Sequence, residues 1–222
     1  MPPMSRLLLP GLALAFLATP AAAQRYGELD DPGYDNGRKF EITPMVGYQI
    51  GGGASDSAGD RIELADGISY GGILSFTVRP RGHVEVIYLR QPTTVNYQAL
   101  GVGPVTALFP ASVNYLQIGG EQEIGGNEHV APFAMGSAGM TIFDPDTTAF
   151  GSEIRYSMGI GGGLKAMLGK TQRVGLRLQG RIWLNFFNSS GQIFCGALGC
   201  AATIEATVIT QGDFSGGVIV AF

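Results

Sequence analysis

Apolar and polar residues alternate along most of the chain after residue 39, which is the period of a β-strand whose successive side chains point to opposite faces. Eight segments of about ten residues or more carry this pattern, and clusters of Gly, Pro and polar residues separate them. The predicted strands are Phe40–Ile50, Ile68–Arg79, His83–Gln91, Ser112–Ile124, Val130–Phe143, Ser152–Met167, Arg173–Phe186 and Gln211–Phe222. The pattern therefore predicts an all-β chain.

The connections between these segments alternate in length. The short ones are Pro80–Gly82, Gly125–His129 and Leu168–Gln172, and the longer ones are Gly51–Gly67, Pro92–Ala111, Asp144–Gly151 and Phe187–Thr210. In an up-and-down barrel every second connection lies at the same end, and membrane barrels have short turns at one end and longer loops at the other. The spacing predicts an eight-stranded antiparallel up-and-down transmembrane β-barrel.

The seventh segment shows why the two strand faces need different surroundings. One parity holds Val174, Leu176 and Leu178, while the other holds Arg177 and Arg181. A secreted lipocalin-like barrel has the same period with its apolar face inside, so alternation alone leaves both arrangements open. Glycines share the polar parity of the sixth segment, at Gly159, Gly161 and Gly163. They favour a polar interior, because eight strands enclose little space.

Composition and the N-terminal residues indicate the class of protein and its cellular location. Charged residues make up 14% of the chain, against roughly 25% in an average soluble domain. The net charge of −4 argues against a nucleic-acid partner. Met1–Ala23 has the Arg, apolar run and small-residue end of a cleaved signal peptide. We expect residues 24–39 to be a short periplasmic segment and residues 40–222 to form the barrel.

The C-terminal residues carry a defined motif. Ser215, Gly217, Val220 and Phe222 resemble the C-terminal insertion signal of Gram-negative outer-membrane barrels. The mature chain resembles the small outer-membrane β-barrel family, which includes the OmpA transmembrane domain, OmpX, OmpW and the opacity-type proteins. That resemblance implies an integral outer-membrane protein at the cell surface with both termini in the periplasm. It also implies contact with lipid and lipopolysaccharide, and with the barrel-assembly machinery during biogenesis.

The same alternation assigns charged side chains to the lumen. The acidic ones are Glu41, Glu85, Glu121, Glu123, Glu153 and Asp213, and the basic ones are Arg79, Arg155, Lys165, Arg173, Arg177 and Arg181. Because an eight-stranded barrel is only wide enough for side chains to fill, we expect these groups to pair across a largely closed lumen.

No catalytic residue, cofactor or metal site is predicted. His83 and His129 lie beside short connections and are expected to be exposed turn residues. A lipid-modifying enzyme would need a serine, a histidine and an acidic group near the outer leaflet, so it remains a minor alternative. Cys195 and Cys200 are the only cysteines, and an even pair in an exported chain predicts a disulfide, here at the tip of a hairpin.

Two functional hypotheses remain. The first is a non-enzymatic barrel with a structural or surface-interaction role through its external loops. The second is OmpW-like passage of a small hydrophobic ligand, for which apolar residues such as Ile73, Ile87 and Leu89 would line the upper lumen. The uncharged connection Pro92–Ala111 is either a lip packed on the rim or a surface for hydrophobic ligands and partners. The sequence names no ligand.

Overall fold

A computed structural model of the protein describes residues 39–55, 59–127, 129–187, 191–196, 199–204 and 208–222. Its strands are β1 (Phe40–Ile50), β2 (Gly53–Ser55), β3 (Arg61–Leu64), β4 (Gly67–Arg79), β5 (Gly82–Gln98), β6 (Val105–Glu123), β7 (Val130–Pro145), β8 (Glu153–Leu168), β9 (Val174–Phe186), β10 (Gly191–Gly196), β11 (Gly199–Ile204) and β12 (Val208–Ala221). No helix in these ranges is long and apolar enough to cross a membrane.

Eight of the strands form one closed antiparallel ring. Its order is β1, β4, β5, β6, β7, β8, β9 and β12, and β12 pairs with β1 to complete it. Consecutive barrel strands are neighbours, so the predicted eight-stranded up-and-down barrel is confirmed. We call the end with the connections β4–β5, β6–β7 and β8–β9 the turn end, and the opposite end the loop end.

The loop end contains more regular structure than the sequence predicted. The residues Pro92–Ala111 were predicted to lie outside the strands, as a connection, and this was wrong for most of them. β5 continues to Gln98, β6 begins at Val105, and the two strands remain paired up to a 3-10 turn at Ala99–Gly101. β2 and β3 form a hairpin whose second strand pairs with β5, while β10 and β11 form another hairpin. β-branched and aromatic residues in β5 explain why the strand continues.

Burial follows the predicted alternation, with the polar parity inside. In β9 the buried side chains include Arg177, Gln179 and Arg181, while Leu178 and Ile182 are exposed on the outer face. The glycines of β8 leave room for large side chains in the lumen. A Cβ atom at Gly159 would lie 2.8 Å from the ring of Trp183, and one at Gly163 would lie 2.8 Å from the ring of Phe133. Both positions therefore require glycine because of close packing.

Apolar side chains fill the loop-end part of the lumen. Ile73, Ile87 and Leu89 are almost completely buried there, and the rings of Tyr115 and Trp183 stack with their centroids 4.3 Å apart. The hairpin β2–β3 adds buried residues of its own to this apolar cluster. The barrel consequently has its hydrophobic core inside the lumen, near the loop end.

Backbone hydrogen bonds close the turn end of the β1–β12 seam. Lys39 N donates to Phe222 O at 2.8 Å, and Phe222 N donates to Phe40 O at 3.0 Å. The rings of Phe40 and Phe222 stack outside the seam with their centroids 4.8 Å apart and an interplanar angle of 9°. The terminal aromatic residue thus covers the point where the first and last strands meet.

Candidate functional site in the barrel lumen

A buried ion cluster occupies the lumen toward the turn end. Lys165 Nζ lies 2.9 Å from Glu41 Oε2 and 2.6 Å from Glu121 Oε1. Arg177 Nη1 lies 2.7 Å from both Glu85 Oε1 and Glu121 Oε2. These side chains are almost fully buried, so water screens their interactions little. Glu121 joins the two cations because each of its oxygens meets one of them.

Strand register explains why the two cations need carboxylates from elsewhere. Lys165 on β8 lies directly opposite Arg177 on β9, and like charges at opposed positions destabilise a sheet. Their acidic partners come from β1, β5 and β6, on the other side of the lumen. The cluster therefore connects five strands across the barrel interior. The cluster stabilises the fold most when every member is paired, because an isolated buried charge is destabilising.

Four more of the predicted lumen charges are found in three kinds of surroundings. Glu153 and Arg155 form an ion pair with each other near the loop end. Asp213 accepts hydrogen bonds from Ser69 at 2.9 Å and from Ser215 at 2.8 Å. Arg181 stacks over the ring of Trp183, 4.8 Å from its centroid. Its Nε and Nη1 atoms have no hydrogen-bond partner among the described residues.

Two basic residues assigned to the lumen are not inside it. Arg79 and Arg173 lie at strand ends near the turn end and are exposed, and Arg79 donates a hydrogen bond to Gln122 instead. Residues at strand ends can reach water, so the face assigned by alternation no longer determines their burial. The expected equality of six acidic and six basic lumen residues was therefore wrong. In the described lumen, six acidic residues face four basic ones.

The prediction for one histidine was also wrong. His83 was expected to be an exposed turn residue, but it is the second residue of β5 and its exposed fraction is only 8%. Its side chain points into the lumen, with Nε2 at 3.8 Å from Glu123 Oε1 and Nδ1 at 3.3 Å from Thr77 Oγ1. His129 is exposed, as expected. Counting parity back from Glu85 would have placed His83 inside, because strand residues two apart share a face.

A neutral hydrogen-bond network lies between the ion cluster and the loop-end rim, and the sequence analysis did not identify it. Gln49 Nε2 donates to the Tyr115 hydroxyl at 2.9 Å, and that hydroxyl donates to Gln211 Oε1 at 2.6 Å. Asn185 and Thr141 extend the network around the barrel. All of these residues have the inward parity, so alternation would have given their face but not their partners. The network pairs most of its buried polar groups, although Gln211 Nε2 has no hydrogen-bond partner among the described residues.

At the loop end, Asp60 fastens the first external connection to the tip of β5. Tyr97 Oη donates to Asp60 Oδ2 at 2.6 Å, and Leu100 N donates to Asp60 Oδ1 at 3.0 Å. These two hydrogen bonds, the Tyr97 bond more than the Leu100 bond, hold the pKa of the Asp60 carboxyl below its usual value. The β5–β6 tip itself is apolar and exposed at Leu100, Val102 and Val105.

The two cysteines lie opposite each other in the backbone register of β10 and β11, with Cys195 paired to Cys200. This is the hairpin that the sequence predicted. The disulfide between them stays a prediction.

Comparison with known proteins shows the fold. No protein-family model and no curated protein matches the chain. Among solved structures, Neisserial surface protein A is 15% identical with a TM-score of 0.56, and the match covers 82% of this chain and 97% of that one. The N-terminal β-barrel domain of Pseudomonas aeruginosa OprF is 11% identical with a TM-score of 0.38, over 78% of this chain and 96% of that one.

The attachment invasion locus protein Ail of Yersinia pestis is 12% identical with a TM-score of 0.37, and the match covers 82% of this chain and 99% of that one. The match to Neisserial surface protein A shows architecture and not activity, because the identity is low. The closed ring of eight antiparallel strands, together with that match, shows that the chain has the fold of a small eight-stranded outer-membrane β-barrel.

Proposed function

We propose that this protein is an integral outer-membrane barrel without enzymatic activity, which presents its loop end to the cell exterior. The observation that carries the proposal is the inverted distribution of side chains. Ionised groups such as Arg177 and Glu121 are buried in the lumen, whereas Leu178, Ile182 and Phe214 are exposed on the outer face. Water would meet that apolar outer face at a large free-energy cost, which the hydrocarbon of a bilayer removes.

A closed lumen supports a role at the surface over a role as a channel. Trp183 and Tyr115 have exposed fractions of 0%, so no water-sized space adjoins them. The buried ion cluster lies in the lumen nearer the turn end. Ions would meet paired charges in one half and stacked aromatic rings in the other. This interior explains why we expect little steady conductance.

The β5–β6 tip is the surface that we propose for contact with partners. Leu100, Val102, Val105 and Leu108 are exposed there, and the tip carries no charged residue. An exposed apolar patch of this kind is typical of an interaction site. Acidic loop residues such as Asp60 and Asp66 would meet lipopolysaccharide phosphates through divalent cations.

The packing does not favour the transport alternative. Ile73, Ile87 and Leu89 have the lumen position that this alternative requires, but their exposed fractions are 1%, 0% and 1%. A ligand would therefore have to displace the core. An enzyme is disfavoured on different grounds. His83 and His129 both lie at the turn end, which is the periplasmic end in our proposed topology, so neither reaches the outer leaflet.

Fractionation and conductance test the proposed location and the closed lumen. The protein should fractionate with outer membranes and migrate differently on a denaturing gel before and after boiling, since a closed ladder has no free edge at which unfolding begins. In planar bilayers it should conduct little current. Recovery from the soluble periplasm would contradict the location, and wide stable channels would contradict the closed lumen.

Surface labelling tests the proposed topology. Val102→Cys at the β5–β6 tip should react on intact cells with a maleimide that does not cross membranes. Thr171→Cys in the β8–β9 connection should react only after the cells are lysed. Both side chains are exposed, so accessibility differs only through the side of the membrane. Labelling of Thr171→Cys on intact cells, with Val102→Cys protected, would invert the topology.

The terminal residues suggest a role in assembly. Phe222 stacks on Phe40, and Ser215 and Gly217 face the lumen. We propose that Phe222 acts both as part of the insertion signal and as a cover for the seam. Phe222→Ala should lower the amount of protein in the outer membrane, whereas Phe40→Ala should weaken the stack without removing the signal. Equal membrane levels of both variants and the wild type would show that Phe222 is not part of an insertion signal.

A further inference from the structure

Three potential metal ligands converge at the turn end of the lumen. His83 on β5 lies directly opposite Glu121 on β6, and Glu123 is two residues further along the same strand. Residues two apart on a strand share a face, so all three side chains point inward. One ligand atom from each of the three lies within 4.8 Å of the others, and all three residues are buried. This juxtaposition follows from the β5–β6 register.

The distances suit a shared ion better than a direct hydrogen bond. His83 Nε2 and Glu123 Oε1 are 3.8 Å apart, which is too long for a hydrogen bond. Zinc binds imidazole nitrogen and carboxylate oxygen at about 2.0–2.2 Å, so two ligands of one ion can be separated by up to roughly 4 Å. The three ligand atoms lie within 4.8 Å of one another, so binding one ion requires them to approach by at most about 0.8 Å.

Thr77 is placed to orient the imidazole. Its Oγ1 atom lies 3.3 Å from His83 Nδ1. When Nδ1–H donates to the threonine hydroxyl, Nε2 directs its lone pair toward Glu123. Histidine ligands of metals commonly donate their second ring N–H to a neighbouring oxygen, which fixes the tautomer and the ring plane. Thr77 is therefore a positioning residue for His83.

Glu121 also contacts Lys165 and Arg177, but this does not prevent it from acting as a shared ligand. Each carboxylate oxygen has two lone pairs, so an oxygen that meets one cation can accept a second bond. The other two ligands lie nearer the opening. His83 and Glu123 each keep an exposed fraction of 8%, against 3% for Glu121, so an ion can enter from the turn end.

We infer that His83, Glu123 and Glu121 form a binding site for a divalent transition-metal ion of the zinc type. One imidazole nitrogen with two carboxylate oxygens suits such an ion, whereas magnesium prefers an octahedron of oxygens. Water completes the coordination sphere. The bound ion ties β5 to β6 beside their neighbour β4. The site is independent of the surface role proposed above.

Zinc titration of the full-length mature protein, refolded in detergent micelles and stripped with a chelator, tests the site. Calorimetry should show one zinc ion bound per chain, and zinc should raise the melting temperature whereas magnesium at the same concentration should not. His83→Asn should abolish both effects. His129→Asn is the matched control, because it removes the other histidine at the same end of the barrel, and it should behave as wild type.

Further variants keep the test decisive if His83→Asn fails to fold. Thr77→Val should lower zinc affinity by about 10- to 100-fold, the usual effect of losing an orienting partner. Glu123→Gln should lower it more. Cobalt bound to the wild type should give the visible absorption of a nitrogen-containing site, and zinc should displace it. Absence of zinc binding to the folded wild type, or equal affinity in wild type and Glu123→Gln, would overturn the inference.

Discussion

The two halves of the lumen are filled by side chains of opposite character. Toward the turn end, Lys165 and Arg177 bridge carboxylates from three other strands. Toward the loop end, the Tyr115–Trp183 stack and aliphatic side chains form an apolar core, and neutral hydrogen bonds link polar side chains between the two halves. One narrow barrel can therefore be packed both by paired charges and by apolar side chains.

The charged half and the apolar half of the lumen should respond differently to substitution. A buried ion pair costs much to desolvate, so it contributes modestly when complete and costs heavily when one partner is lost. In apolar packing, the loss of stability grows with the number of contacts removed, because each contact contributes separately through dispersion and buried area. The charged half should therefore fail abruptly, and the apolar half gradually.

Arg177→Glu should have the largest effect. It removes the partner of Glu85 and Glu121 and adds a third carboxylate, so the loss of unfolding free energy should exceed the roughly 3–5 kcal/mol expected when a buried pair is broken. Urea titration of the refolded protein, followed by the fluorescence of Trp183, the only tryptophan, measures it. Arg173→Glu, an exposed change on the same parity four residues earlier, should cost little. Similar losses of unfolding free energy in both variants would show that the buried ion pairs of Arg177 do not stabilise the barrel specifically.

Trp183→Ala should lower the unfolding free energy by about 3–5 kcal/mol, since it opens a cavity in the loop-end core. Trp183→Phe should cost clearly less, because most of the packing with Tyr115 is kept. Circular dichroism during urea titration measures both variants. Ile182→Ala, whose side chain faces outward on the same strand, is the control. An unfolding free energy that falls stepwise from wild type to Trp183→Phe to Trp183→Ala would support gradual failure of the apolar half. Equal losses in the two variants would contradict it.

Leu178→Arg tests the wall that separates both halves from the bilayer. Leu178 lies near the middle of β9 on the exposed face, where a basic side chain should cost about 2–4 kcal/mol at the bilayer midplane. Refolding into lipid vesicles should fall accordingly. Val102→Arg introduces the same charge at the exposed β5–β6 tip and should refold as wild type. A harmless Leu178→Arg would mean that β9 presents its other face to lipid.

The smallest effect should come from acidifying the loop end. Because the pKa of folded Asp60 lies below its ordinary value of 3.8, its hydrogen bonds stabilise the folded state fully above that value, and this stabilisation is lost as the pH falls through the lower folded pKa. Protection of the Leu100 amide against hydrogen exchange should drop below about pH 4 relative to neighbouring amides. Asp60→Asn should show no such pH response. If the protection of the Leu100 amide relative to its neighbours did not change with pH in the wild type, Asp60 would be excluded as the group that fastens the connection.

Much of this architecture is readable from local pattern alone. Alternation identified eight strands and the face of most residues, as in β9, because the β-pleat sets side-chain direction residue by residue. The spacing of connections gave the up-and-down order. Prediction was weakest at strand ends. Arg79 and Arg173 have the inward parity but reach water, His83 was assigned to a turn although it is buried, and the β5–β6 hairpin continues well beyond its expected limits.

Contacts across the lumen were decided by tertiary structure. Lys165 meets Glu41 from 124 residues away, and nothing in either local segment specifies that pairing. It depends on strand tilt and stagger around the closed ring, which set the height at which each inward residue sits. The face that each side chain takes is a local property of the pleat, so it can be read from the order of the residues. The side chains that meet across the lumen depend on closure of the barrel, because the height of each residue is a property of the whole ring.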